Sequence, residues 1–184
     1  NTLDTLSEKE KTNGWFEALK MSLTLDADVY EQAKTGFDPA LLERAMQLKM
    51  QVVEADERES ELRTILNFGH SIGHALEQLS DYTVPHGYAV ALGMLVETRA
   101  SVELGPLNET VWNDLAEVLK VLGVQASDLQ NYTFESVWNA LQNDKKNRGR
   151  DVRWVGLESI GKANVQTISK EIAQKAWQET LSHS

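Results

Sequence analysis

Apolar residues recur along this chain at helical spacing far more often than in alternation. Trp15, Phe16, Leu19 and Leu23 predict a helix over about residues 12–23. Asp38-Pro39 opens a long helix to about Val53, the proline presetting the backbone of a first turn. On that helix Leu42, Met46, Lys49 and Val53 share a row in which Lys49 is the sole charge. A third helix is expected from Asn67 to Leu79, and a fourth from Pro85-His86-Gly87 to about Leu104. Further helices are expected near 108–122, 134–142 and 170–181. All three prolines, Pro39, Pro85 and Pro106, stand where a helix would begin. One stretch departs from this periodicity. Val152 to Leu157, the turn Ser159-Ile160-Gly161-Lys162, and Ala163 to Ile168 read as a β-hairpin. The expected fold is mainly α: a multi-helix, bundle-like single domain over 1–184 with one small β-hairpin near residues 152–168. A two-stranded hairpin is marginal in water, so it has to pack on these helices or on a partner domain.

Composition removes whole classes of function. A chain of 184 residues with 41% hydrophobic and 25% charged residues can bury an ordinary core. The absence of cysteine excludes a disulfide scaffold and thiolate metal sites, and fits a reducing, cytoplasmic location. No apolar run reaches membrane-spanning length and no signal segment opens the chain, so no membrane partner is expected. A net charge of −10 argues against nucleic acid as a partner and makes any local cluster of cations notable. The chain opens Asn-Thr-Leu-Asp without an initiator methionine, and it carries no Gly-rich strand-turn-helix fingerprint. Both features lead us to expect a piece of a longer protein.

The most informative stretch runs Arg63-Thr-Ile-Leu-Asn67-Phe-Gly-His70-Ser-Ile-Gly-His74-Ala-Leu-Glu77. If one helix reached back to Arg63, then Arg63, Asn67, His70 and His74 would form a row, opposite an apolar row of Ile65, Phe68, Ile72, Leu76 and Leu79. Gly69 and Gly73 each cost a helix interior about 1 kcal/mol relative to alanine, which a close approach by another backbone or a ligand would explain. A polar surface stripe with chance histidines is the plainer explanation. Against it, three of the chain's four histidines fall within seventeen residues, His86 being the third. Ser71 occupies the place of the glutamate that a His-Glu-x-x-His protease motif needs, so a metalloprotease is not expected.

A carboxylate and several cations also stand out of place. Glu17 interrupts an apolar segment with Lys20 one turn on; a solvated helix pair would look the same. Lys49 in its apolar row is either functional or snorkelling past the core. Asp144-Lys145-Lys146-Asn147-Arg148-Gly149-Arg150 is a basic loop in an acidic protein. Taken together, one Glu and two His would leave coordination positions open on a zinc-like ion, the pattern of catalytic rather than structural sites. Nearby cations would suit a phosphorylated or carboxylated substrate.

These residues resemble the dehydroquinate synthase family. The resemblance is carried by Asn67-Phe-Gly-His-Ser-Ile-Gly-His-Ala-Leu-Glu77 and by His86-Gly-Tyr-Ala-Val-Ala-Leu-Gly-Met94. Gly14-Trp-Phe-Glu17-Ala-Leu-Lys20, the segment from Lys49 through Glu59 to Arg63, and Asp144-Lys145-Lys146 add to it, in matching order from about residue 10 to 170. The resemblance implies that Glu17, His70 and His86 hold a divalent metal, zinc or cobalt. It implies that Lys20, Lys49, Arg63, Asn67 and one or both of Lys145 and Lys146 contact substrate, and that His74, Glu59 and Lys20 lie beside the reacting centre. The implied reaction converts 3-deoxy-D-arabino-heptulosonate 7-phosphate, a phosphorylated sugar acid, to 3-dehydroquinate and phosphate in the shikimate pathway. NAD transiently oxidises one carbinol, phosphate leaves, hydride returns, and an aldol step closes the ring. The implied partners are an N-terminal NAD-binding domain of the same enzyme and, for the full-length protein, a second copy in a homodimer. Tyr88 stands where the family commonly has Glu, and Phe16 where a small residue commonly precedes Glu17.

Three other readings remain open at this point. A related sugar-phosphate cyclase, of deoxy-inosose or valiolone synthase type, would share metal and NAD but not product. An iron-dependent alcohol dehydrogenase would use an Asp and three His. A helical assembly module would bind no stoichiometric metal. Within the metal reading, His74 competes with Glu17 as third ligand.

Overall fold

The computed structural model describes residues 5–36, 38–55, 61–105, 107–143 and 151–183. Among them the chain forms nine α-helices and one antiparallel hairpin, the mainly α class with a single hairpin that the periodicity predicts. α1 spans Glu8–Leu25, longer than expected because Ser7 and Glu10 close a capping box ahead of the apolar run. α2 (Ala27–Ala33) was not anticipated; Asp26 caps it by accepting from Asp28 and Val29. α3 (Pro39–Ala55) buries Leu41, Ala45, Leu48 and Val52. This is the row beside the expected one, so Met46 and Lys49 point outward and Lys49 is not a core lysine snorkelling past apolar neighbours.

The third helix starts at His70 rather than the expected Asn67, and it does not reach back to Arg63. α4 covers Glu61–Thr64, a 3-10 turn covers Ile65–Asn67, and α5 begins only at His70 and ends at Leu79. Gly69 adopts φ 76° at the α5 N-cap, a left-handed conformation that ends the upstream helix and re-aims the next one. Arg63, Asn67, His70 and His74 are therefore not one helical row.

α6 (His86–Glu103) is the central element, packed by α1, α5, α7 (Glu109–Val121), α9 (Lys170–Ser182) and strand β1 (Val152–Ser159). Every residue from Ala89 to Ser101 is buried, as expected of a helix covered on all sides. α8 (Phe134–Asn143) packs on α5, and a 3-10 turn at Ala126–Asn131 precedes it. β1 pairs with β2 (Lys162–Ile168) in a register that sets Val152 against Ile168 and Gly156 against Asn164. The hairpin does pack on helices. Gly161 donates from its turn to the Leu23 carbonyl of α1 at 2.8 Å, and Leu157 donates to the Ser101 hydroxyl of α6 at 3.0 Å. No helix among the described residues is long and apolar enough to cross a membrane.

Candidate metal centre

α5 and α6 cross backbone to backbone, and that crossing builds the site. A methyl added at Gly93 would lie 2.0 Å from the Gly69 carbonyl oxygen, and one added at Gly69 would lie 2.7 Å from the Val90 oxygen. The close approach that would account for Gly69 and Gly73 is therefore the backbone of α6. With the helices this near, His70 at the start of α5 and His86 at the start of α6 come together, their ring centroids 5.2 Å apart. His74, one turn along α5, has its ring 5.3 Å from that of His70. α1 delivers Glu17 from the other side, because Gly87 lets the α1 backbone at Asn13 pass close to α6.

The polar atoms converge. Glu17 Oε1 lies 3.8 Å from His70 Nε2 and 3.7 Å from His86 Nε2. Lys20 Nζ lies 2.8 Å from Glu17 Oε2 and 3.5 Å from His70 Nε2, with its side chain 2% exposed. Each imidazole is oriented through its far nitrogen. His70 Nδ1 donates to the Phe68 carbonyl at 3.1 Å, and His86 Nδ1 donates to the Glu77 carboxylate at 3.1 Å. Both bonds leave Nε2 as the lone-pair nitrogen facing Glu17, the orientation that a metal-binding histidine gains when its other ring N–H is held by a carbonyl or carboxylate. Glu17 Oε1 is itself buried and has no hydrogen-bond partner among the described residues. A buried carboxylate oxygen without a partner is costly, and a divalent ion is what two imidazole nitrogens and such an oxygen would satisfy. On these grounds Glu17, His70 and His86 fit a divalent cation. His74, Glu77 and His86 form a second grouping of ligand type, but its Glu77 carboxylate is already engaged by His86 Nδ1.

Electrostatics agree with that arrangement. Burial, then the Lys20 ammonium, pushes His70 down to about 4, which keeps the ring neutral near pH 7 and ready to ligate. Burial acts to raise the Glu17 carboxyl, but the charge and hydrogen bond of Lys20 bring it below the ordinary value. Burial lowers the Lys20 ammonium against the pull of Glu17, and the positive charge of Lys49 adds to the lowering. Lys49, exposed on α3, is thus within electrostatic reach of the site.

Beside the three convergent residues opens a cavity of about 300 Å³. Asn67, His70 and His74 line it from one side and the hairpin residues Arg153 and Trp154 from the other. Arg63 is exposed on α4 and is not among the residues lining that cavity. Glu59, Lys145 and Lys146 lie outside the described residues.

Four positions in or beside the candidate site escaped sequence reasoning. Glu77, which orients His86, sits three residues after His74 and had no signal beyond that spacing. Arg153 and Trp154 reach the cavity through the hairpin, which no local pattern reveals. Glu97 was visible as the lone carboxylate of a helical row that runs His86, Val90, Gly93 and Glu97, at steps of four, three and four. Tyr88 serves as scaffold here. Its hydroxyl donates to Asp128 and accepts from the Gln125 amide at 3.2 Å, tying the first turn of α6 to the 3-10 turn.

A family model described as 3-dehydroquinate synthase C-terminal matches residues 14–147. The 3-dehydroquinate synthase of Corynebacterium jeikeium is 37% identical over 185 residues, spanning 95% of this chain and 50% of that protein. The 3-dehydroquinate synthase of Salinibacter ruber is 36% identical over 196 residues, spanning 99% of this chain and 53% of that protein. The chain thus spans about half the length of the curated relatives it matches. Among solved structures, the 2-epi-5-epi-valiolone synthase of Streptomyces hygroscopicus subsp. jinggangensis, with NAD+ and Zn2+ bound, superposes with a TM-score of 0.82. At 24% identity over 99% of this chain and 54% of that one, this is a likeness of fold.

Proposed function

This chain belongs to the 3-dehydroquinate synthase C-terminal family, and from that premise we propose that it is the metal- and substrate-holding helical half of a 3-dehydroquinate synthase. The proposed reaction converts 3-deoxy-D-arabino-heptulosonate 7-phosphate to 3-dehydroquinate and phosphate, with NAD held largely by an N-terminal domain of the same enzyme. The observation that carries the reading is the convergence of Glu17 Oε1 on His70 Nε2 and His86 Nε2, at 3.8 and 3.7 Å, with no other partner for that buried oxygen among the described residues.

Glu17, His70 and His86 would hold the divalent ion. When bound, such an ion acts as a Lewis acid on a substrate oxygen and favours loss of hydride from the carbon that bears it. Everything else follows from the chain's own groups. Phe68 and Glu77 fix the two imidazoles so that no reorganisation is needed when substrate enters. Lys20, sealed from solvent against Glu17, keeps a positive charge where negative charge develops on substrate oxygens. Asn67 and His74 face the cavity, where an amide and an imidazole can hold hydroxyls or accept a proton. Lys49 and Arg63, both exposed, would meet the substrate's carboxylate or phosphate at the mouth of the site.

Turnover decides between this reading and a related sugar-phosphate cyclase. The full-length polypeptide, loaded with zinc and NAD, should release phosphate from the heptulosonate 7-phosphate and not from sedoheptulose 7-phosphate or glucose 6-phosphate. Phosphate release from either of those sugars, with none from the heptulosonate, would move the chain to another cyclase class.

A further inference from the structure

Glu97 has no role in the site as described, yet it is the most deeply buried carboxylate near it, 0% exposed. It lies on α6 in one row with His86, Val90 and Gly93. That row faces the N-terminus of α5, whose N-cap is Gly69, a residue with no side chain to cap with. The first N–H groups of a helix have no partner inside it and must find one elsewhere. Here Glu97 supplies it from 28 residues away. Its Oε2 accepts from Gly69 N–H at 2.8 Å and its Oε1 accepts from Ile72 N–H at 3.4 Å. The two bonded amides flank His70 in sequence. His70 is in turn held through Nδ1 by the Phe68 carbonyl, in the residue just before Gly69. The glycine crossing is what lets the carboxylate reach: Gly93, one turn before Glu97, has no side chain to hold α6 away from Gly69.

We propose that Glu97 is a positioning residue for the metal centre: by capping α5 from within α6, it locks the helix that carries His70 to the helix that carries His86. This rests on the assignment of Glu17, His70 and His86 as ligands. The alternative is a carboxylate that merely stabilises the fold. A helix cap alone has no need of a buried carboxyl, because a serine or aspartate at the N-cap does the same at the surface. Burying a carboxylate instead is costly unless its placement is required. The carboxylate ties the start of α5 to α6 at Glu97, while the ion would tie the same start of α5, through His70, to the first residue of α6. The two constraints act on the same relative motion, α5 sliding or tilting on α6.

The test uses the full-length polypeptide and three variants, Glu97→Gln, Glu97→Asp and Glu97→Ala. Zinc affinity is measured by competition with a chromophoric chelator, and the cobalt-loaded proteins are compared by their visible absorption. Outer-shell partners of metal ligands are worth about 10–100-fold in affinity. Glu97→Ala should lose at least about tenfold in zinc affinity and change the cobalt spectrum, with the far-ultraviolet circular dichroism of the wild type. Glu97→Gln keeps one acceptor at the same reach, for the shorter bond from Gly69, but turns an NH2 donor toward the Ile72 N–H, so it should hold zinc more tightly than Glu97→Ala while staying below wild type. Glu97→Asp retracts the acceptor by one methylene and should fall between, which carries the test if the alanine variant does not fold. Wild-type affinity and an unchanged cobalt spectrum in folded Glu97→Ala or Glu97→Asp would overturn the proposal while leaving the metal site standing. A wild-type protein that binds no stoichiometric ion, or a Glu17→Ala variant of undiminished affinity, would overturn the ligand assignment and this inference with it.

Discussion

Replacing Gly93 by alanine would set a methyl 2.0 Å from the Gly69 carbonyl oxygen, 2.9 Å from its carbon and 3.1 Å from the Gly73 nitrogen. All three are backbone atoms of the α5 start, so no side chain can swing aside. Ordinary contact begins at 3.4 Å, so the helices must part by about 1.4 Å, the difference between 3.4 and 2.0. Overpacking of this kind costs about 1–3 kcal/mol, and the upper end applies when backbone has to move. Separation also stretches the 2.8 Å bond from Gly69 to Glu97, whose carboxyl burial pushes up to about 8, and a hydrogen bond to such a largely neutral group is worth about 0.5–1.5 kcal/mol. Against these stands a gain of about 1 kcal/mol in helix propensity. The net destabilisation is about 2–4 kcal/mol. For a domain of this size each kcal/mol moves Tm by about 2–4 °C, so Tm should fall by about 5–15 °C. Zinc affinity should fall as well, since His70 and His86 ride on the two helices being parted. Gly14→Ala is the matched control. It sits inside α1 with nothing within 4 Å of an added methyl, so it receives the propensity gain alone and Tm should rise by about 2–4 °C. Thermal unfolding followed by circular dichroism, with and without chelator, reads both. A Gly93→Ala variant as stable as wild type would refute the claim that direct backbone contact fixes the crossing.

Three further outcomes follow from the same geometry. His86→Ala should abolish stoichiometric zinc binding, whereas His74→Ala should retain most of it; equilibrium dialysis with metal analysis reads the order, and the reverse order would transfer the ligand role to His74. The metal-free protein should lose stability as pH falls from 6.5 toward 4. His70, held down to about 4 when folded, binds fewer protons folded than unfolded in that window. Its contribution is therefore complete above pH 6.5 and falls by about 3 kcal/mol on acidification, at about 1.4 kcal/mol per pH unit. Urea midpoints across that window should show the fall, and His70→Gln should flatten it; an equally steep fall in the variant would place the titration elsewhere. Lys49→Ala and Arg63→Ala should each cut kcat/KM of the full-length enzyme by about ten- to a hundredfold with zinc content unchanged; wild-type kinetics in both would remove the two cations from the site.

Much of this protein is legible one segment at a time. Helix positions follow from apolar spacing, and the hairpin from a period-two run around Gly161, because both signals are local. The histidine segment announced itself by composition, since an apolar helix has no use for imidazoles and two glycines unless something lies close. What spacing cannot convey is which of two adjacent rows turns inward. α3 buries Leu41, Ala45, Leu48 and Val52 rather than the row that holds Met46 and Lys49, a choice made by its packing against α1. Nor can a helical pattern show its own interruption: Gly69 is one residue of left-handed backbone, and it takes α6 pressed against it to make that conformation the one that fits. Most of all, the site joins Glu17, His70, His86 and Glu97 from three helices. Each carries a plausible local explanation, as an ion pair, a surface stripe or a stray charge. Only the crossing of α5 on α6, with α1 laid beside them, brings a buried carboxylate oxygen within 4 Å of two oriented imidazoles. Distances between residues far apart in sequence are set by packing, and packing is a property of all the helices at once.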